Sequence, residues 1–387
     1  ATTEIYTLAL HDALPISFAG HWWDHPKYEL EPDQNLELVA HYLQAIDVQQ
    51  MANDAQAFMG GRFPMVMTYM PGGMQERLEI EEILYYIGQM ERVKDFVDNV
   101  MIPDLLMIAP SYLYLAEEGQ GVGNYLSWGL FDVKSQVPED RIMPRGLIMD
   151  REIAQVQQAD LDQVRMYTKY SWYEDSAGEG KHPLDTSQQP NFTSLQAMDD
   201  PNPPEGKYDW TQAARYGDEA APMEVGPLAE ILVSYGAGRQ EVVDLVNFTL
   251  DAIGQGGNPG VLMSNLGRIA GRVLKAKVNV DHSLQWAQEL LDNYGRGEND
   301  VWIDRAVPAS GEGSGGWNAP RGALAHYMRI ENGRIGSYAA VPPTNWNLSP
   351  RDDSDVKGPL EQALIGVPVE DPERPLEILR TTHTFDP

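Results

Sequence analysis

The chain has 387 residues, of which 28 are Lys or Arg and 58 are Asp or Glu, so its formal net charge is −30 at pH 7. A surface this acidic repels phosphate backbones, which argues against general nucleic-acid binding. The sequence contains no cysteine, which excludes disulfides, thiolate nucleophiles and cysteine-ligated metal centres built from these residues alone. No run of eighteen apolar residues occurs, so the sequence predicts no transmembrane helix.

Two segments lack a regular pattern. Residues 1–17 have no sustained period and no basic start, and we expect them to be a non-native extension rather than a signal peptide. Residues 174–222 are rich in Asp, Pro, Gly and Ser but contain buried-type aromatic residues, so they predict a long irregular excursion within the main domain, 18–387.

The regular elements are mostly helices. Leu36, Leu43 and their apolar neighbours recur at steps of three and four, which predicts an amphipathic helix over 33–60. The same spacing predicts a second helix over 80–100, which we expect to end at Pro103. Four further helical patterns follow, at 225–235, 239–253, 261–277 and 282–293.

The clearest local signal is a β-hairpin at 327–341. Two β-prone runs flank Asn332-Gly333, a pair that accepts the positive φ angles of a type I′ turn. If the residues on either side of this turn pair, opposite residue numbers sum to 665, and Arg321 is expected to face Thr344. The hairpin therefore predicts that two polar residues, each next to a proline, meet at one end of the ladder.

The residues that could carry chemistry are few. His21 and His25 have the spacing of helical metal ligands, but Pro26 and the neighbouring tryptophans favour a structural role. Paired carboxylates arise by chance in so acidic a chain. Arg321 stands out because Pro320 and Gly322 flank it, which predicts a cation held on a defined backbone, either pairing with an acid or aimed into a site.

Long stretches of the sequence resemble the large subunit of nickel–iron hydrogenase. They are GHWWDHPKYELEPDQNLELVAHYLQAIDVQ, PMEVGPLAE, SNLGRIAGRVLKA and GGWNAPRGALAHYMRIENGRIGSYAAVPPTNWNLSPRD, and they occur in the family's order. The resemblance covers about residues 18–387 and is greatest to membrane-bound uptake enzymes. It implies an α-rich α/β fold, with long packed helices, small sheets and the C-terminal hairpin.

The resemblance also implies a chemistry. The family cleaves H2 reversibly into protons and electrons at a Ni–Fe(CN)2CO centre, beside a third site for Mg or Fe, and passes electrons to an iron–sulfur small subunit, in some cases to a membrane cytochrome. Its metals are held by an N-terminal and a C-terminal cysteine pair. Neither pair occurs here, so we expect the chain to be a fragment that is inactive alone. Its compartment, periplasmic at a membrane or cytoplasmic, stays open.

Several residues match family positions around that centre. Arg321 matches an arginine above the open side of the two metals, and Asp386 matches its anionic neighbour. The others match residues that line the pocket, donate to a cyanide, contact the carbonyl ligand or supply a backbone carbonyl to the third metal; they are Pro320, Pro343, Thr344, Leu324 and Ala340. Two departures are Met65, where a histidine is common, and Asn318, where an acid is usual.

Two other interpretations stay open at this point. A nickel-free paralogue in the quinone module of respiratory NADH dehydrogenase would explain the missing cysteines, but the APRG and PPTNW motifs belong to a metal site it lacks. An acidic carbohydrate-binding or carbohydrate-active protein would use the nine Trp and eighteen Tyr residues in an open aromatic cleft with two carboxylates.

Overall fold

A computed structural model describes residues 25–133, 141–174, 180–186, 189–192, 206–298, 300–304 and 306–386. The expected extension 1–17 lies outside these residues. The chain divides into two compact units, one formed by 1–112 with 272–308 and the other by 113–271 with 309–387. None of the described helices is long and apolar enough to cross a membrane.

The first unit is built from long helices. They are α1 (Pro32–Gly60), α2 (Ile80–Phe96), α3 (Ile102–Ser111) and the part of α6 that follows Gly271. A small ladder joins β1 (Tyr69–Met70) to β2 (Gly73–Met74). Helix α1 ends where Gly61 takes a left-handed φ of 71°, as a helix C-terminus commonly does.

The predicted apolar stripe of α1 does not face the core. Leu36 is 70% exposed and Leu43 is 59% exposed. The apolar residues on the buried face are instead Leu38, Ala45, Val48, Ala52 and Ala55. This face also has helical spacing, but three of its five apolar residues are alanine, so the larger side chains at 36 and 43 indicated the wrong face.

The predicted end of the second helix at Pro103 is wrong. Helix α2 passes directly into a π-helical turn, Val97–Met101, and then into α3, with Pro103 in its first turn. Proline lacks an N–H, and its ring would clash with the carbonyl four residues earlier in a regular helix. The wider π turn lies where that bond is missing, so the helical path continues. The patterns at 261–277 and 282–293 likewise form one helix, α6 (Asn265–Gly295).

The second unit combines short ladders with shorter helices. The strands are β3 (Tyr125–Ser127), β4 (Leu130–Asp132), β5 (Arg141–Met143), β6 (Gly146–Ile148), β7 (Val164–Tyr167) and β8 (Ala213–Tyr216), which pair as β3–β6, β4–β5 and β7–β8. The helices are α4 (Pro227–Gly236), α5 (Gln240–Ala252), α7 (Pro343–Asn347), α8 (Pro359–Leu364) and α9 (Leu376–Thr384).

The largest sheet has three antiparallel strands, β9 (Gly311–Ala319), β10 (Gly322–Glu331) and β11 (Arg334–Val341), in the order β11-β10-β9. The predicted hairpin is confirmed, with φ angles of 54° at Asn332 and 71° at Gly333. The sequence did not predict β9, which is rich in glycine. One face of the sheet packs on a core that includes Trp128, Tyr327 and Trp346.

The predicted register holds only next to the turn. Glu331 pairs with Arg334 as expected, but the ladder shifts by one residue between Arg329 and Ile330, and Ala325 then pairs with Val341. The expectation that Arg321 faces Thr344 across the ladder is therefore wrong. The irregularity inserts one extra residue into β11, and such a bulge cannot be read from alternation alone.

Candidate active site

Arg321 lies in a two-residue turn between β9 and β10. Ala319 pairs with Gly322, so Pro320 and Arg321 form the whole connection. Gly322 has a φ of +124°, and a Cβ built there would lie 2.3 Å from the backbone nitrogen of Gly226. The turn is thus pressed against another segment, which fixes the backbone that carries the guanidinium.

Arg321 forms an ion pair with Asp386. Its Nε lies 3.2 Å from Asp386 Oδ2 and donates to the Asp386 backbone carbonyl at 3.1 Å, while Nη2 donates to Oδ1 at 3.3 Å. The Asp386 side chain is 5% exposed and the Arg321 side chain is 37% exposed. A guanidinium stays charged at any pH a protein tolerates, and this contact holds it in one orientation.

The backbone of Val225–Gly226 contacts both helix α7 and the Arg321 turn. The Asn347 side chain, at the end of α7, accepts from the Val225 N–H at 2.9 Å and donates to the Val225 carbonyl at 2.9 Å. The Arg321 carbonyl lies 3.3 Å from a Cβ built on Gly226. The start of β10 and helix α7 are therefore both fixed to one backbone segment.

The other predicted site residues lie on these same elements. Pro343 and Thr344 are the first two residues of α7, with Pro343 buried and Thr344 half-buried. Leu324 lies in β10 opposite Trp317, and Ala340 lies in β11 opposite His326. The residues predicted to form the site thus lie on β10, β11 and α7, but Arg321 and Thr344 are not paired across the β10–β11 ladder.

Comparisons with known proteins give the family. The sequence profile of the nickel-dependent hydrogenases matches residues 9–387. The chain belongs to this family. It is 34% identical to the Hydrogenase-2 large chain of Escherichia coli strain K12, covering 96% of this chain and 67% of that one.

Two further matches agree with this assignment. The quinone-reactive Ni/Fe-hydrogenase large chain of Wolinella succinogenes is 31% identical, over 96% of this chain and 66% of its own length. A NiFeSe hydrogenase variant of Desulfovibrio vulgaris Hildenborough superposes with a TM-score of 0.84 at 26% identity, over 100% of this chain and 77% of that chain. The chain therefore spans about two thirds of the length of these curated relatives and has the hydrogenase large-subunit fold. Members of this family are oxidoreductases that act on H2. The family assignment therefore argues against both the NADH dehydrogenase and the carbohydrate interpretations.

The hydrogenase motifs also contain a buried ion pair to which the sequence analysis gave no role. Glu224 comes from the PMEVGPLAE stretch and Arg268 from the SNLGRIAGRVLKA stretch. Arg268 Nε donates to Glu224 Oε1 at 2.7 Å and Nη2 donates to Oε2 at 2.8 Å, and the two side chains are only 3% and 2% exposed. Burial, and then the charge of Glu224, raise the pKa of the nearby Tyr125 hydroxyl well above its usual range. Both motifs contain further charged residues, which are Glu230 in the first and Arg272 and Lys275 in the second. Nothing in the sequence therefore indicated this particular pair.

Asn318 has a structural role that the resemblance did not indicate. Its side-chain oxygen accepts from the Trp128 N–H at 2.9 Å, and its amide donates to Ser127 Oγ at 2.8 Å. It is 2% exposed. Asn318 therefore fastens β9, two residues before the Arg321 turn, to the strand end at Ser127.

The chain's own donor set does not fit a nickel–iron centre. No cysteine occurs, and over the described ranges no three His, Asp or Glu side chains converge as a metal site. His25 is buried and its Nδ1 accepts from the Lys27 N–H at 3.2 Å, a structural contact, while His21 lies outside the described residues. The residues of this chain therefore supply no thiolate ligand for such a centre.

Proposed function

We propose that this chain is part of the large catalytic subunit of a nickel–iron hydrogenase, with the Arg321–Asp386 pair beside the reacting H2. The supporting observation is the ion pair itself, because the guanidinium of Arg321, on a two-residue turn, is held by the buried carboxylate of Asp386. The reaction is H2 ⇌ 2H⁺ + 2e⁻. The family's Ni–Fe(CN)2CO centre, when bound, supplies the Lewis-acid and redox chemistry.

The role of Arg321 in this proposal is electrostatic. Heterolytic cleavage of H2 separates positive from negative charge, and a fixed cation lowers the energy of negative charge that develops next to it. Asp386 makes the pair neutral overall and orients the guanidinium through its carboxylate and its backbone carbonyl. Lysine would keep the charge but lose the two-nitrogen contact with Asp386.

The remaining matched residues would form the wall of the pocket. In this proposal the Thr344 hydroxyl would donate to a cyanide ligand of the bound centre, Leu324 would contact its carbonyl ligand, and Pro320 and Pro343 would exclude water. The backbone carbonyl of Ala340 would ligate the Mg or Fe of the third site. Each assignment rests on the family match, together with the placement of these residues on β10, β11 and α7.

The proposed electron path leads out of this chain. Without cysteine the chain cannot hold an iron–sulfur cluster through thiolates, so we propose that an iron–sulfur small subunit accepts the electrons, with a membrane cytochrome or another acceptor beyond it.

The test compares two preparations. The complete subunit complex, purified under anaerobic conditions, is expected to oxidise H2 with a dye as acceptor, to contain nickel, and to show infrared bands of cyanide and carbon monoxide. The 387-residue chain alone is expected to bind no nickel tightly, because it lacks thiolates. A nickel-free complex that does not react with H2 would refute the proposed function, and tight stoichiometric nickel on the 387-residue chain would refute the assignment of its residues to the surroundings of the metals.

A further inference from the structure

We infer that Arg268 is a positioning residue of the site: through Phe385 it holds Asp386 in the place where it orients Arg321. The inference rests on the proposed function in giving this pair a task in H2 cleavage. The contacts that support it, however, belong to the chain alone and can be measured without metal or H2.

The first step is the stacking of Arg268 on Phe385. The guanidinium carbon of Arg268 lies 3.9 Å from the centre of the Phe385 ring, within the distance of a cation–π contact. Phe385 is 4% exposed. The stacked guanidinium is itself fixed by two hydrogen bonds to Glu224, so the ring lies against a planar group that cannot rotate away.

The second step is the position of Asp386 directly after this ring. Phe385 closes helix α9, and the Asp386 N–H donates to the His383 carbonyl at 3.0 Å. Asp386 has a φ of +53°, a left-handed conformation that is uncommon outside glycine and needs support from its surroundings. Displacement of the Phe385 ring would release this turn and move both oxygens that accept from Arg321.

The third step is a second connection between α6 and α9, formed by the hydrogen bonds of Asn265. Its amide donates to Thr381 Oγ1 at 2.8 Å, and its oxygen accepts from Arg268 Nη1 at 3.1 Å and from Thr384 Oγ1 at 3.3 Å. A glycine-containing loop covers the network, since a Cβ on Gly119 would lie 2.0 Å from Asn265 Oδ1. Asn265 is therefore packed closely against this loop as well as bonded to α9.

The same ion pair also reaches Arg321 from the other side. Glu224 lies two residues before Gly226, whose position the Arg321 carbonyl and Gly322 closely approach. One buried pair thus fixes both partners of the contact, Asp386 through Phe385 and Arg321 through the 224–226 backbone.

Arg215 provides a matched control in the same unit. It is an equally buried arginine, paired with Asp352 at 3.0 Å, with side chains 0% and 1% exposed. Its other partners are Ala214, Ser349, Pro350 and Val356, and none of them is in α9 or in the Arg321 turn. Substituting Arg215 therefore breaks a buried pair of the same type without touching the Phe385 support.

The experiment measures the solvent exchange of the Arg321 Nε proton by ¹⁵N-edited NMR on the 387-residue chain, with Arg321→Lys to assign the signal. We expect Arg268→Lys and Phe385→Leu to accelerate this exchange by about tenfold or more, while Arg215→Lys changes it by less than about twofold. Phe385→Leu keeps the Glu224–Arg268 pair, so it carries the test if Arg268→Lys does not fold.

Equal acceleration in Arg215→Lys, or none in both Arg268→Lys and Phe385→Leu, would overturn the inference. The Arg268→Lys holoenzyme is also expected to lose turnover with its nickel content retained. Because the exchange measurement needs neither metal nor H2, a wild-type holoenzyme without activity would refute the proposed function and leave the positioning result standing.

Discussion

The buried pair Arg215–Asp352 gives the sharpest stability prediction. Arg215 links strand β8 to the loop after α7. It donates five hydrogen bonds between 2.8 and 3.0 Å, to the Asp352 carboxylate, the Ser349 hydroxyl and the carbonyls of residues 214, 350 and 356. Burial lowers the pKa of Arg215, and the charge of Asp352 opposes this effect, so the guanidinium depends on its partner.

Asp352→Asn keeps the shape of the side chain but places an amide donor or a neutral oxygen against the buried guanidinium. Removing one charge of a buried pair costs about 3–5 kcal/mol, because the other charge is left uncompensated. Asp355→Asn, three residues away, is the control. Asp355 pairs with Lys169 at 3.1 Å with side chains 59% and 44% exposed, and exposed pairs contribute only about 0–1 kcal/mol. Asn also tolerates the φ of +64° at this position.

The assay is urea unfolding followed by far-UV circular dichroism, with the midpoint and slope fitted for each variant. We expect a large fall in midpoint for Asp352→Asn and almost none for Asp355→Asn. Similar midpoints for the two variants would show that the buried pair contributes no more than an exposed one, and would refute this reasoning.

Three further predictions concern the turn, the strand anchor and the charged cluster of the first unit. Gly322→Ala would place a Cβ 2.3 Å from the Gly226 nitrogen, so we expect the thermal unfolding midpoint to fall by several degrees. Gly333→Ala is the control, because Gly333 also has a positive φ but open space around it, and we expect it to lower the free energy of unfolding by only about 1 kcal/mol. Asn318→Asp cannot donate to Ser127 Oγ and is expected to lose about 1–3 kcal/mol, which chemical denaturation would detect and which an unchanged midpoint would contradict. Partial burial raises the pKa of Asp98, but hydrogen bonds from Lys277 and Lys94 outweigh this effect and hold the pKa below the ordinary 3.8. The resulting stabilisation is present above about pH 4 and is lost as the pH falls through the pKa of the folded state. We therefore expect Asp98→Asn to make the free energy of unfolding less dependent on pH in the acid range, and an unchanged dependence would contradict this prediction.

The fold was largely predictable where local chemistry determines it. Asn332-Gly333 allowed one turn type, and the hairpin formed there. Helix α1 ended at Gly61 because left-handed backbone favours glycine. The features that the sequence did not predict depend on neighbouring elements. They are the register shift opposite Arg329 and Ile330, the π turn before Pro103 and the choice of the buried face of α1.

The site was predicted in part, and by resemblance more than by pattern. The flanking proline and glycine singled out Arg321, and the structure places Asp386 on its guanidinium. Spacing could not reveal Glu224, Arg268 or Asn318, because their partners lie far away in the chain. A single sequence shows which residues can be charged, but not which buried charges meet.

The most direct test of the account is the turnover of an active holoenzyme that carries Arg321→Lys, with Arg329→Lys as control. Arg329 lies in β10, the strand that follows the Arg321 turn, in a half-exposed pair with Glu312. If a rigidly held guanidinium assists H2 cleavage, Arg321→Lys lowers turnover by about 10²-fold or more at unchanged nickel content, while Arg329→Lys retains activity. Wild-type turnover in Arg321→Lys, with nickel fully loaded, would contradict the account.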